Sequence, residues 1–210
     1  KEKIEVSISH LEGADYVNLL SAGKDTTLCW IHGTKKYDAN IRGFMGTIRK
    51  KLMMPLLYRK ADRIVSVSNG IANELASQLP EIRPKLRVIY NGFDVERITA
   101  LSGVPLSDQF APLFNFRTII THCRFSRQKN LPALLAIFSR MNLKDSTKLV
   151  LVGDGEMRQE LISYCRDAGL FAWDGRSEKR LDLTRHVYFI GQQRNPFNFL
   201  KAASLYVMTS

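Results

Sequence analysis

Cysteine is scarce. The 210 residues hold three, Cys29, Cys123 and Cys165, scattered and without a CxxC pair. They lack the His/Cys spacing that a zinc site needs and read as small hydrophobes of a reducing compartment, so no metal site is expected. An uninterrupted apolar run long enough to span a bilayer is missing too, as is a secretory leader at the start. The cytoplasm is therefore the expected location. Acidic side chains are in deficit, 20 against 31 Lys and Arg, which sets the net charge at +11. Residues 1–100 hold 16 basic and 11 acidic side chains and the remainder 15 and 9, so no basic tail carries the excess. Such a charge favours acidic partners: nucleotides, nucleic acid or an anionic membrane surface. The sequence shows no RNP-like aromatic pattern, zinc-finger spacing or recognition helix, so specific nucleic-acid binding is not expected. A dinucleotide fingerprint is absent as well. Gly153-Asp154-Gly155 is followed by Arg158 where GxGxxG needs its third glycine, which argues against an NAD-dependent enzyme.

What is present is an alternation of strands and helices. The charged start Lys1–Lys3 runs straight into a strand-like Glu5–Ser9, as in a fragment excised from a longer protein. A helix closing at Gly23 and a strand ending at Gly33 follow, the βαβ rhythm of a parallel sheet. His32 stands at the C-terminal end of that strand, where open α/β sheets place ligands, although a lone histidine there is more often structural. Residues 41–61 hold six basic side chains and no acid, with Ile48, Leu52, Met53, Leu56 and Leu57 at helical spacing. They read either as a basic amphipathic helix lying on an anionic membrane or as a packed helix with a solvated rim. Pro55 is expected to bend that helix or to begin its second part. Arg63–Ser68 reads as a strand whose Ser68 caps the next helix, and Leu86–Gly92 as another strand. Weak periodicity with Gly103, Pro105 and Pro112 marks residues 99–113 as an interdomain linker. The expected units are 1–98 and 114–210.

The second half repeats the alternation. Arg117–Met141 reads as a buried strand, a loop with Arg124, Arg127 and Lys129, and a helix with Asn130 as N-cap and Pro132 in the first turn. A helix N-terminus facing such a loop suits an anion, and Arg124 and Lys129 could close on a diphosphate; a solvated basic loop is the plain alternative. Lys148–Gly153 reads as a buried strand turning tightly through Gly153–Gly155 into a helix that Gly169 ends. Residues 171–185 read as irregular, His186–Gly191 as a strand, and a short helix and a last strand bring the chain to Ser210.

Taken in order, ADRIVSVSNGI, VIYNGFD, CRFSRQKN, LVLVGDGEMRQEL and VYFIGQQRNPFNFLKAASLYVMTS resemble the retaining GT-B glycosyltransferases called family 4, of the kind that build bacterial polysaccharide and lipopolysaccharide cores. The resemblance implies an α/β protein of two Rossmann-like domains facing across a cleft, each incomplete in this chain. It implies transfer of a hexose from a nucleotide-diphosphate sugar to a saccharide or lipid-linked acceptor, with retention, in cell-envelope glycan synthesis. The route implied is front-face, the leaving phosphate helping to deprotonate the acceptor, with no metal or other cofactor. Arg124 and Lys129 match the pair that binds the diphosphate and stabilises the leaving group. Gly153, Asp154 and Gly155 match the loop that lets the nucleotide approach the backbone, and Ile190 and Gly191 the strand end near the base. His32 matches a histidine contacting the transferred sugar, and Asn91-Gly92 matches the interdomain crossover. The family's Glu-x7-Glu segment has no counterpart before Ser210, so this chain alone is expected to bind nucleotide weakly and to transfer sugar poorly. A non-catalytic sugar-nucleotide-binding module stays open as the alternative. The basic stretch Arg42–Lys60 could dock the protein peripherally on the inner membrane face.

Overall fold

The computed structural model describes residues 3–33, 43–141 and 146–210. It divides into two units, Lys1–Phe93 and Asp94–Ser210.

In the first unit, strands β1 (Val6–His10), β2 (Thr26–Ile31), β3 (Arg63–Ser66) and β4 (Leu86–Val88) form a parallel sheet in sequential order. Helices α1 (Glu12–Ser21), α2 (Gly43–Ile48), α3 (Met54–Tyr58) and α4 (Asn69–Gln78) supply the connections. Alternation decides which strand residues face inward. Cys29, Ile31 and Ile64 pack on Tyr16, Leu19, Leu57 and Leu75, whereas Val6 and Ile8 stay exposed on the opposite face. Ser68 caps α4 as its sequence position predicts, its Oγ accepting from Ile71 N at 3.3 Å. Under the sheet, buried Asp15 accepts hydrogen bonds from Ser9 Oγ (2.7 Å) and Tyr58 Oη (2.9 Å). Burial, and then the Asp15 charge, pushes the Tyr58 phenol far above its ordinary value, so it stays protonated and donates to Asp15.

The basic stretch differs from its expected register. A π-helical turn at Arg49–Met53 separates α2 from α3, and Pro55 lies in the first turn of α3. The wider turn shifts the inward face by about one residue. Met54, Leu57 and Tyr58 are buried, while Leu52 and Leu56 point outward. Arg42, part of the proposed cationic surface, lies outside the described residues.

In the second unit, β5 (Arg117–His122), β6 (Thr147–Val152), β7 (Ala172–Asp174), β8 (Val187–Gly191) and β9 (Leu205–Tyr206) form a parallel sheet ordered β7-β8-β6-β5-β9. The chain reverses direction across β5, between β6 on one side and β9 on the other, which makes a topological switch point at the C-terminal ends of these strands. All six residues of β6 are buried, since both faces are covered. Leu149, Leu151 and Phe189 face α6 (Leu131–Ser139) and α7 (Arg158–Asp167); Val150, Val152 and Tyr188 face Leu113, Trp173 and Phe199 of α8 (Phe197–Ala202). Gly169, at φ +68°, ends α7 as expected. Its N–H donates to Arg166 O and that of Leu170 to Cys165 O, the paired bonds of a Schellman motif.

The stretch 99–113, expected to be a linker, belongs to this unit, whose boundary lies at Asp94. Helix α5 (Val95–Ser102) opens it, with Asp94 accepting from Arg97 N at 2.9 Å. Asn195 and Asn198 donate to the carbonyls of Leu101 and Pro105, and Phe110 and Phe114 pack edge-on against Phe199. Its glycine and prolines shape an apolar cap, which carries no helical or strand period to be read.

Candidate functional site

Three neighbouring strands of the second unit end in loops that surround a cavity of about 830 Å³. His122, Cys123 and Arg124 come from β5, Gly153, Asp154 and Gly155 from β6, and Gln192 and Gln193 from β8; Arg176 reaches in from the β7–β8 connection. That volume suits a nucleotide-sized ligand.

The β5 and β6 loops are laced by backbone bonds. Cys123 N donates to Val152 O (3.1 Å), Phe125 N to Asp154 O (2.8 Å) and Met157 N to Phe125 O (3.0 Å). So close an approach requires the two glycines. A Cβ on Gly153, whose φ is +129°, would lie 2.0 Å from Cys123 O, and one on Gly155 2.5 Å from Phe125 O.

Charge is organised around Arg158, which the sequence offers only as a displaced glycine. It is 2% exposed and stacks over the Phe189 ring, donating to Phe189 O at 3.1 Å and pairing with Asp174. Its Nη1 stands 3.7 Å from Asp154 Oδ1, which also accepts from Gly155 N at 2.8 Å, while Asp154 Oδ2 pairs with Arg176. Asp154, expected to bind nucleotide, thus acts as the anchor of its own loop. Arg124 is exposed and pairs with Glu156 at 3.2 Å. A backbone hydrogen bond within Glu156 and the Arg124 charge hold that carboxyl below its ordinary range. Partial desolvation lowers the His122 pKa, and the cavity lining includes the guanidinium groups of Arg124 and Arg176.

The other expected residues sit around this cavity or away from it. Lys129 is half-buried and does not line it, although its charge reaches Cys123. Desolvation raises the Cys123 thiol above its ordinary value despite a hydrogen bond with Thr121 and the Lys129 charge. Asn130 precedes α6 in a left-handed conformation (φ 48°, ψ 39°), and its side chain makes no capping bond. The Thr209 hydroxyl, on the other side of the switch point, instead donates to the carbonyls of Lys129 (2.8 Å) and Asn130 (3.2 Å). The first turn of α6 does not line the cavity. Ile190 is buried and its carbonyl accepts from Gln193 Nε2 at 2.7 Å, while the Gly191 carbonyl accepts from Gly153 N at 2.8 Å. Both carbonyls shape the loops that hold the cavity. Gln192 and Gln193 were findable from the sequence, because they directly follow a strand; Arg176 was hidden in a stretch read as irregular.

In the first unit, His32 is exposed just past β2. Its Nε2 lies 2.8 Å from His10 Nδ1 at the end of β1, and the two rings cluster with Trp30, whose centroid is 5.6 Å from that of His10 and 6.5 Å from that of His32. Among the described residues no helix is long and apolar enough to cross a membrane, and no group of three or more His, Cys, Asp or Glu is placed to hold a metal ion.

Residues 1–97, a little under half of the chain, match the family described as Glycosyltransferase Family 4. An uncharacterized glycosyltransferase of Methanocaldococcus jannaschii is 28% identical over 158 residues, covering 73% of this chain and 35% of that protein. The N-acetylgalactosamine-N,N'-diacetylbacillosaminyl-diphospho-undecaprenol 4-α-N-acetylgalactosaminyltransferase of Campylobacter jejuni is 25% identical, covering 99% of this chain and 52% of the enzyme. The crystal structure of Anabaena HepE in complex with UDP and glucose superposes with a TM-score of 0.70 at 17% identity, over 97% of this chain and 52% of HepE. The fold, mixed α/β with parallel sheets, is that of GT-B glycosyltransferase structures. The chain spans between about a third and about half of the length of these relatives.

Proposed function

We propose that this chain is part of a retaining GT-B glycosyltransferase, which moves a hexose from a nucleotide-diphosphate sugar to a saccharide or lipid-linked acceptor in cell-envelope glycan synthesis. One observation carries the reading. A nucleotide-sized cavity at the C-terminal ends of β5, β6 and β8 presents guanidinium groups over the β6 loop, whose Gly153 and Gly155 press backbone to backbone on the β5 loop. Its relatives support the choice of chemistry: the Campylobacter enzyme is named for transfer to a diphospho-undecaprenol-linked sugar, and HepE was solved with UDP and glucose.

In this reading Arg124 faces the diphosphate and Lys129 adds charge from behind the β5 loop. Departure of a nucleoside diphosphate builds negative charge on its outer phosphate, and fixed cations stabilise that charge without a metal ion. Gly153 and Gly155 keep the loops thin enough for a nucleotide to lie against the backbone, and Asp154 holds them in place. The strand end Ile190–Gly191 and the glutamines after it are assigned to the base. His32, held by His10, is assigned to the transferred sugar. Exposed Leu52 and Leu56 beside Lys51, Arg59 and Lys60 form the surface assigned to the anionic inner membrane face.

A thermal-shift panel of UDP, GDP, ADP and their sugars tests the reading. One nucleoside diphosphate should raise the melting temperature, weakly for this chain, and Arg124→Ala and Lys129→Ala should each reduce the shift. Unchanged shifts in both variants would place the ligand elsewhere. Flotation with anionic and neutral vesicles tests the membrane surface; equal binding to both would refute it.

A further inference from the structure

Between β7 and β8 the chain turns through Asp174-Gly175-Arg176 and brings a cation to the cavity that the proposed mechanism has not used. We propose that Arg176 is a binding residue for the diphosphate of the donor nucleotide, opposing Arg124 across the cavity. This rests on the reading of the cavity as a nucleotide-sugar site.

The turn is built to hold Arg176 in place. Its N–H donates to Asp174 Oδ1 at 3.1 Å, and buried Arg158 fixes that carboxylate from below. Gly175 N donates to Phe189 O at 3.1 Å, and a Cβ on Gly175 would come within 2.9 Å of the Trp173 ring. Trp173 in turn donates from Nε1 to Arg180 O at 2.9 Å, which pins the far side of the same loop. The backbone of Arg176 is therefore tied to the sheet, while its side chain is 63% exposed.

The guanidinium rests on Asp154, yet Asp154 does not depend on it. Gly155 N–H and Arg158 already serve the other carboxylate oxygen. Arg176 can exchange half-buried Asp154 for phosphate oxygens while the Gly155 N–H and the Arg158 charge still face that carboxylate, which lessens the cost of breaking the ion pair. Arg124, resting on exposed Glu156, stands in the same relation to the cavity. Guanidinium forks from the β5 loop and the β7–β8 loop both line the cavity, and each can bond phosphate oxygens bidentately.

The test is calorimetric titration of the 210-residue chain with whichever of UDP, GDP and ADP binds best, beside the matching nucleoside. Wild type, Arg176→Ala, Arg176→Lys and Arg124→Ala are compared at low and physiological ionic strength. Arg176→Ala should weaken the diphosphate about tenfold or more and flatten its salt dependence. Nucleoside binding and the ligand-free melting temperature should stay as in wild type, because an exposed ion pair adds little to folding. Arg176→Lys should fall between, having charge without the fork. If Arg124→Ala loses the diphosphate and Arg176→Ala keeps it, the inference is overturned while the cavity reading stands. Equal losses of nucleoside and diphosphate would overturn the assignment to the phosphates. Failure of the wild-type chain to bind any of the three would remove the cavity reading and this inference together.

Discussion

Replacing Gly155 with alanine tests whether close backbone approach holds the cavity open. The added Cβ would sit 2.5 Å from Phe125 O and 2.8 Å from Phe125 N and C, whereas ordinary contact begins at 3.4 Å, so the β5 loop must retreat by about 0.9 Å. Phe125 cannot retreat freely. Its N–H donates to Asp154 O at 2.8 Å and its carbonyl accepts from Met157 N at 3.0 Å, and its ring is fully buried against Phe189. A retreat of that size breaks both backbone bonds, each contributing about 1 kcal/mol net and more where a buried group is left unpaired, so a loss of about 2–4 kcal/mol is expected. Urea unfolding of wild type and Gly155→Ala reads this directly as a lower midpoint with an unchanged slope. A loss below about 0.5 kcal/mol, with ligand binding intact, would refute the argument, since the loops would then have slack that the structure denies them.

Other expectations follow from the charges. Arg158→Met leaves Asp154 and Asp174 facing each other without their shared counter-ion, and the second unit should lose about 3 kcal/mol in chemical denaturation; a loss under about 1 kcal/mol would show that solvent already screens the acids. Glu156→Gln frees Arg124 from its exposed partner and should tighten diphosphate binding by at most a few-fold in calorimetry. Weaker binding would mean that Glu156 itself helps to hold the ligand. Asp62 is held below its ordinary 3.8 by hydrogen bonds first from the Thr27 backbone N–H and then from the Thr27 hydroxyl. Its contribution is present above 3.8 and lost as pH falls through the lowered native value. The stability gap between wild type and Asp62→Ala, about 1 kcal/mol after allowing for exposure, should be flat near neutrality and close in acid. A gap that persists in acid would exclude the carboxylate as its source.

The alternation of strands and helices was legible because the buried runs are unambiguous: Lys148–Val152 is apolar after its first residue, and Ser68 stands one residue before a helix that needs a cap. Residues as far apart as Arg124 and Gly153 could be placed together, since parallel strands bring their C-terminal loops to one edge. Two kinds of feature stayed hidden. The edge strand β7 has three residues, too few to show a period, and its buried Trp173 is followed directly by the polar turn Asp174-Gly175-Arg176. Arg158 looked like a failed glycine because its partner Asp174 lies 16 residues away, and only the fold brings the two together. Asn130 misled in the opposite direction. Its residue type suits a cap, but Thr209 bonds to its carbonyl and to that of Lys129, while its backbone turns left-handed.

The two tryptophans of the chain fall one in each unit, Trp30 in β2 and Trp173 in β7. Trp173 is fully buried, covers Gly175 and is bonded to Arg180, so its indole is built into the loop that carries Arg176. A Trp30→Phe chain would therefore carry a single tryptophan, at the foot of the proposed phosphate arm. Its emission would follow that loop as nucleotide is added, with no label attached.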